Sequence, residues 1–143
     1  MTAPVEYLDL DDLIDLARAL LGDPPPIRDL GLLGSAIARP QTTLFGVDAY
    51  PDLITKAAAL LQSIVNNHAL VDGNKRLGWL ATAVFLEING TRASRAHNDD
   101  VYDLVLHVAS TSPPLDEIAT RLEHLLGAIS EEDVGRASFG TPG

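Results

Sequence analysis

The chain has 143 residues, 46% hydrophobic and 21% charged, which is the profile of one ordinary folded domain with a single core. Its 20 acidic against 10 basic side chains give a net charge of −10. That excludes a broad nucleic-acid surface, because phosphate contacts need clustered cations, and the absence of cysteine excludes disulfides, thiolate catalysis and cysteine–zinc sites.

The opening "MTAPVEYLDLDDLIDL" is acidic and lacks the basic region of a signal peptide. Within it, Leu10, Leu13, Ile14, Ala17 and Leu20 recur at helical spacing, with Asp9, Asp11 or Asp12 to favour the helix start. "GDPPP" at 22–26 ends this helix, since proline removes a donor and restricts the residue before it. A second helix fits residues 28–38, with Leu30, Leu33, Ala36 and Ile37 turned inward and Pro40 as its stop. Residues 40–50, "PQTTLFGVDAY", have no helical stripe but carry β-prone side chains around Gly46, and predict a short hairpin or flap.

Pro51 suits the first turn of a third helix, which runs to about residue 66 and buries Leu53, Ala57, Leu60, Leu61, Ile64 and Val65. A fourth spans about 74–87, with Leu77, Leu80, Ala81, Val84, Phe85 and Ile88 inward and "NG" at 89–90 closing it. Its apolar run "LGWLATAVFL" is far shorter than the roughly 20 residues a membrane helix needs. Two further helices fit 98–109 and 115–128, separated by "TSPP", and the polar tail 130–143 reads as mobile. The expectation is one all-α domain over 1–129, about six helices with a short β flap, soluble and cytoplasmic.

The segment "HALVDGNKR" at 68–76 breaks this apolar pattern. It places His68 to Gly73 in a loop and Asn74, Lys75 and Arg76 at the mouth of the fourth helix. A helix N-terminus carries unpaired N–H groups and partial positive charge. Two cations there are unfavourable by roughly 0.3–1 kcal/mol each unless an anion compensates. With an anion bound, backbone donors, dipole and cations converge on it. Gly73, lacking a Cβ, would let a phosphate approach the backbone, and Asn74 would cap the helix or donate to a phosphate oxygen. Asp72 is suited to Mg²⁺, which takes one or two carboxylates together with phosphate oxygens. His68 is a candidate general base. Leu70 and Val71 would pin the loop to the core. Each residue also has a simpler reading: a surface histidine, an exposed ion pair, a turn glycine, a cap asparagine. Taken together they fit phosphoryl or nucleotidyl transfer to a hydroxyl.

The same nine residues resemble the Fic/Doc signature H-P-F-x-D/E-G-N-x-R, matching at His68, Asp72, Gly73, Asn74 and Arg76. "YLDLDDLIDL", "RDLGLLGSAIARP", "YPDLITKAAALL" and "GNKRLGWLATAVFLEING" resemble the death-on-curing branch, so the likeness spans about residues 5–126. It implies the Fic/Doc helical bundle, His68 as base toward a target hydroxyl, Asp72 on Mg²⁺, and Gly73, Asn74, Lys75 and Arg76 at the phosphates of ATP. The 40–50 segment would be the flap that aligns the target by strand addition.

Ala69 and Leu70 depart from the usual proline and phenylalanine. Lys75 replaces the glycine of AMP-transferring members, and Trp79 stands where those members carry a second arginine. The Asn-Lys-Arg form resembles the death-on-curing branch, which implies transfer of the terminal phosphate of ATP to a Thr or Ser of translation factor EF-Tu. AMP transfer and a silent binding module are the alternatives. The family's inhibitory pattern S/T-x-x-x-E-G/N is not matched, since "TAPVEY" at 2–7 ends in Tyr7 and contains a proline. Inhibition by a small Phd-like antitoxin in trans is therefore expected.

Overall fold

The computed structural model describes residues 4–139, and the side chains of residues 4–127. Helix α1 (Leu10–Leu21) opens with a capping box in which Asp9 and Asp12 each bond the other's backbone N–H. Helix α2 (Leu30–Ala38) is capped by Asp29 and begins two residues later than predicted. The cap holds Arg28 and Asp29 outside the helix, and Leu30 at its first position is 51% exposed instead of buried.

A short 3₁₀ turn at Arg39–Gln41 leads into the predicted flap, strands β1 (Thr43–Leu44) and β2 (Val47–Asp48), paired antiparallel. Phe45 and Gly46 both have positive φ (52° and 79°), the backbone that a two-residue hairpin turn requires. Helix α3 (Leu53–Asn67) starts after Asp52, whose carboxylate accepts from the Thr55 N–H at 2.8 Å. Pro51 therefore precedes the cap and lies outside the first turn where the sequence placed it.

Helix α4 (Asn74–Ile88) packs more extensively on α3 than any other pair of elements does. Gly78 makes this possible: a Cβ there would stand 2.7 Å from Val65 Cγ2. Because α4 is surrounded, its buried set is wider than one stripe. It includes Thr82 and Leu86 along with Leu77, Ala81 and Phe85, whereas Ile88 at its end is exposed. Thr82 satisfies its buried hydroxyl by donating to the Gly78 carbonyl at 2.7 Å. Asn89 closes the helix and ties in the N-terminal segment through reciprocal bonds to the Glu6 backbone at 2.9 Å.

Helices α5 (Asn98–Thr111) and α6 (Leu115–Phe139) cover the remaining sides of α3, and α6 continues past the predicted end at 128. The mobility expected of 130–143 falls on side chains outside the described residues. One core joins α1 to α6, from Leu8 to Leu126. The fold is therefore the expected six-helix, all-α bundle with a two-stranded flap. Among the described residues no helix is long and apolar enough to cross a membrane.

The substitution Gly78→Ala is expected to lose about 1–3 kcal/mol through overpacking at the α3–α4 crossing. Urea unfolding measures this, and unchanged stability would contradict the packing account.

Candidate functional site

The α3–α4 connection contains the "HALVDGNKR" segment, and its backbone is unusual at both ends. His68 ends α3 in the left-handed conformation (φ 53°, ψ 45°). Glycine is the usual residue there, and a side chain costs about 1–2 kcal/mol. Among the described residues, Phe45 and Ser112 are the other non-glycine positions with positive φ.

Gly73 precedes α4 with φ 91°, and a Cβ on it would lie 2.7 Å from the Leu21 side chain of α1. The need for glycine is therefore conformational and steric. Leu21 occupies the direction in which a side chain at residue 73 would project.

A strap from residues 26–29 holds the loop. The N–H groups of Arg28 and Asp29 both donate to the Ala69 carbonyl (2.8 and 3.0 Å), and the Val71 N–H donates to the Pro26 carbonyl at 2.9 Å. Ile27 and Leu70 form an antiparallel bridge, and the Arg28 guanidinium donates to the His68 carbonyl. That carbonyl belongs to the negative end of α3, where a cation is favoured. Loop order thus comes from the strap, although Ala69 lacks the ring constraint of proline. Leu70 and Ala69 are buried as anchors, whereas Val71, expected to share that role, is 71% exposed.

Asn74 uses its side chain within the loop, accepting from the Leu70 N–H and donating to the Leu70 carbonyl, both at 3.0 Å. It acts as a brace across the turn, and one amide hydrogen remains beyond that brace.

Helices α1, α2 and α3 each have an aspartate cap, but α4 has no side-chain cap and no acidic residue in its first turn. Lys75 and Arg76 stand there instead, both exposed. His68, Asp72, Gly73, Asn74, Lys75 and Arg76 all line one cavity of about 160 Å³. The structure thus brings together all six residues singled out from the sequence. Asp72 accepts the Gly73 N–H on Oδ1 at 2.9 Å, and among the described residues its second oxygen accepts no hydrogen bond. Among the described residues no three His, Asp or Glu side chains converge as a metal cage. A lone carboxylate beside an anion cradle fits a hard cation that shares its ligands with phosphate.

Lys75 and Arg76 also form one wall of a second, apolar groove of about 530 Å³ between α4 and α5. Trp79, Val101, Tyr102 and Leu106 line it, and Tyr102 and Leu106 are exposed.

The Fic/DOC family matches residues 7–86, more than half the chain. The chain belongs to the Fic/DOC family. Among the relatives of this Fic/DOC chain is a protein named Toxin Doc from Mycolicibacterium smegmatis. It is 50% identical over 118 residues, which cover 82% of this chain and 91% of the relative. The matched region holds the flap, the strap, all of the α3–α4 loop and most of α4.

Arg28, Arg39 and Lys56 escaped the sequence reading. Arg28 reads there as the first residue of a helix. Lys56 left a usable signal: it sits three residues after Leu53 and four before Leu60, a lone cation on the apolar stripe. Removing the brace with Asn74→Ala leaves the buried Leu70 backbone groups without partners. It is expected to cost about 1–3 kcal/mol. Denaturant unfolding reads this directly, and a loss below about 0.5 kcal/mol would refute the bracing role.

Proposed function

We propose that the chain is a Doc-like toxin that transfers the terminal phosphate of ATP to a Thr or Ser hydroxyl of a target protein, translation factor EF-Tu. The observation that carries this reading is the uncapped start of α4. Its free donors, Lys75, Arg76 and His68 border one small cavity. The Fic/DOC match and the name of the Mycolicibacterium relative support the family of reactions.

In this reading the N–H groups of the first turn of α4 and the two cations hold the phosphates, where dipole and formal charges act in the same direction. His68 accepts the proton of the incoming hydroxyl as its oxygen bonds to the γ-phosphorus. The bond from that phosphorus to the bridging oxygen breaks, and ADP leaves. Asp72 is the residue that would hold Mg²⁺, which when bound neutralises phosphate charge. The strap and the Asn74 brace keep His68 and the α4 donors in fixed relation, so little reorganisation accompanies transfer.

Lys75 decides which phosphate reacts. A long cation in the cradle, with Trp79 in place of a second arginine, favours a nucleotide pose that presents the γ-phosphate. Incubation with EF-Tu and ATP labelled at either the γ or the α position tests this. Label from the γ position only is expected, whereas label from the α position would establish AMP transfer. His68→Ala is expected to lose at least about 100-fold in transfer rate. A fully active variant would remove the general base, and a wild-type chain inert in both assays would leave a binding module.

The partner follows from the groove beside the cradle. An antitoxin segment folding as an amphipathic helix would seat its apolar face on Trp79, Tyr102 and Leu106, with acidic side chains toward Lys75 and Arg76. Leu106→Asp is expected to retain transfer and to weaken inhibition by the antitoxin more than about tenfold. Unchanged inhibition would place the partner elsewhere.

A further inference from the structure

The β1–β2 hairpin has no buried residue in either strand, so no apolar packing holds it to the bundle. A two-stranded hairpin alone is marginal in water. Its side chains Leu44, Phe45 and Val47 project into solvent, Phe45 completely. None of its side chains belongs to the apolar core, yet it is fastened at both ends.

Before β1, the half-buried Arg39 donates to three groups on α3: the Ala59 carbonyl (3.2 Å), Gln62 Oε1 (2.6 Å) and Ser63 Oγ (2.9 Å). Its Nε donates to the Tyr50 hydroxyl at 3.1 Å, and the guanidinium lies 5.4 Å from the centre of the Tyr50 ring. After β2, Lys56 of α3 reaches back from a site where it is only 1% exposed. Its ammonium donates to Asp48 Oδ2 at 3.1 Å and to the Tyr50 carbonyl at 2.6 Å, and stands 5.7 Å from the Tyr7 ring centre. Burial alone would lower the pKa of Lys56. The Asp48 carboxylate beside it and the nearby Tyr7 side chain outweigh burial and raise it above the ordinary lysine value, so the group remains a cation. A buried cation whose acceptors lie mainly on an otherwise loose hairpin is an anchor for that hairpin.

Lys56 and the three α3 acceptors of Arg39 share one helix, and that helix ends at His68. At about 1.5 Å per residue, Lys56 and His68 are roughly 18 Å apart along the axis, and Ser63 and His68 roughly 8 Å. We propose that Lys56, with Arg39, is a positioning residue for the acceptor protein. The two cations clamp both feet of the hairpin to α3 and so fix the edge that the acceptor chain pairs with at a set distance from the base. The helix is the ruler, and the clamps set the scale. This inference rests on the transfer reaction proposed above.

The test compares wild type with Lys56→Met, which keeps the length of the buried side chain and removes its donors. The clamp predicts that KM for the acceptor protein rises about tenfold or more, with ATP affinity by calorimetry within about twofold of wild type. Hydrogen exchange at Ala49, whose N–H donates to the Thr42 carbonyl across the hairpin base, should accelerate while α4 amides hold their protection. If Lys56→Met does not fold, Tyr50→Phe, which deletes only the hydroxyl bonded to Arg39, should raise acceptor KM about threefold. A folded variant with wild-type acceptor KM, or with ATP affinity falling in parallel, overturns the inference. A wild-type chain that transfers nothing overturns the proposed reaction and this inference with it.

Discussion

The close crossing of α3 and α4 at Gly78 and Val65 is the contact on which the rest of the molecule depends. It brings the C-terminal end of one helix beside the N-terminal end of the next, joined by six residues. The first end offers carbonyls, and Arg28 meets one of them; the second offers N–H groups, which are left without a side-chain cap. Opposite helix ends are thus treated in opposite ways. The negative end is neutralised by the protein, and the positive end is made more positive by Lys75 and Arg76. That asymmetry makes the start of α4 electrostatically favourable for a negative group.

Around this crossing the loop and the flap are held by polar contacts to main chain. The strap bonds to Ala69 and Val71, Asn74 bonds to Leu70, and Arg39 and Lys56 bond the flap to α3. Side chains that would do chemistry, His68, Asp72, Lys75 and Arg76, remain exposed. Supporting residues are hydrogen-bonded and the residues proposed for the chemistry are accessible, an arrangement suited to transfer to a second protein. Lys75 and Arg76 line both the small cavity and the apolar groove, so the two spaces share one cationic wall.

Helix types and the position of the loop were legible because they depend on apolar periodicity and on proline and glycine punctuation. The left-handed turn at His68 was not, since the group that meets its carbonyl is Arg28, forty residues earlier in the chain. Leu30 and Pro51 were misplaced by a residue or two for one reason. Asp29 and Asp52 are the true caps, and a cap fixes the helix start more firmly than an apolar residue or a proline does. The steric demand for glycine at residue 73 was not legible, because its neighbour Leu21 arrives through tertiary packing. Lys56 was overlooked because a lysine is almost always read as a surface residue, although its place on the stripe of α3 signalled burial.

The central claim is that the first turn of α4 receives the phosphates of a nucleotide. Amide resonances followed during titration with ATP and Mg²⁺ test it most directly. The account predicts that the N–H signals of Asn74, Lys75 and Arg76 move first and furthest, and that Lys75→Ala weakens the effect. Shifts confined to other parts of the chain, or no shifts at saturating nucleotide, would contradict it.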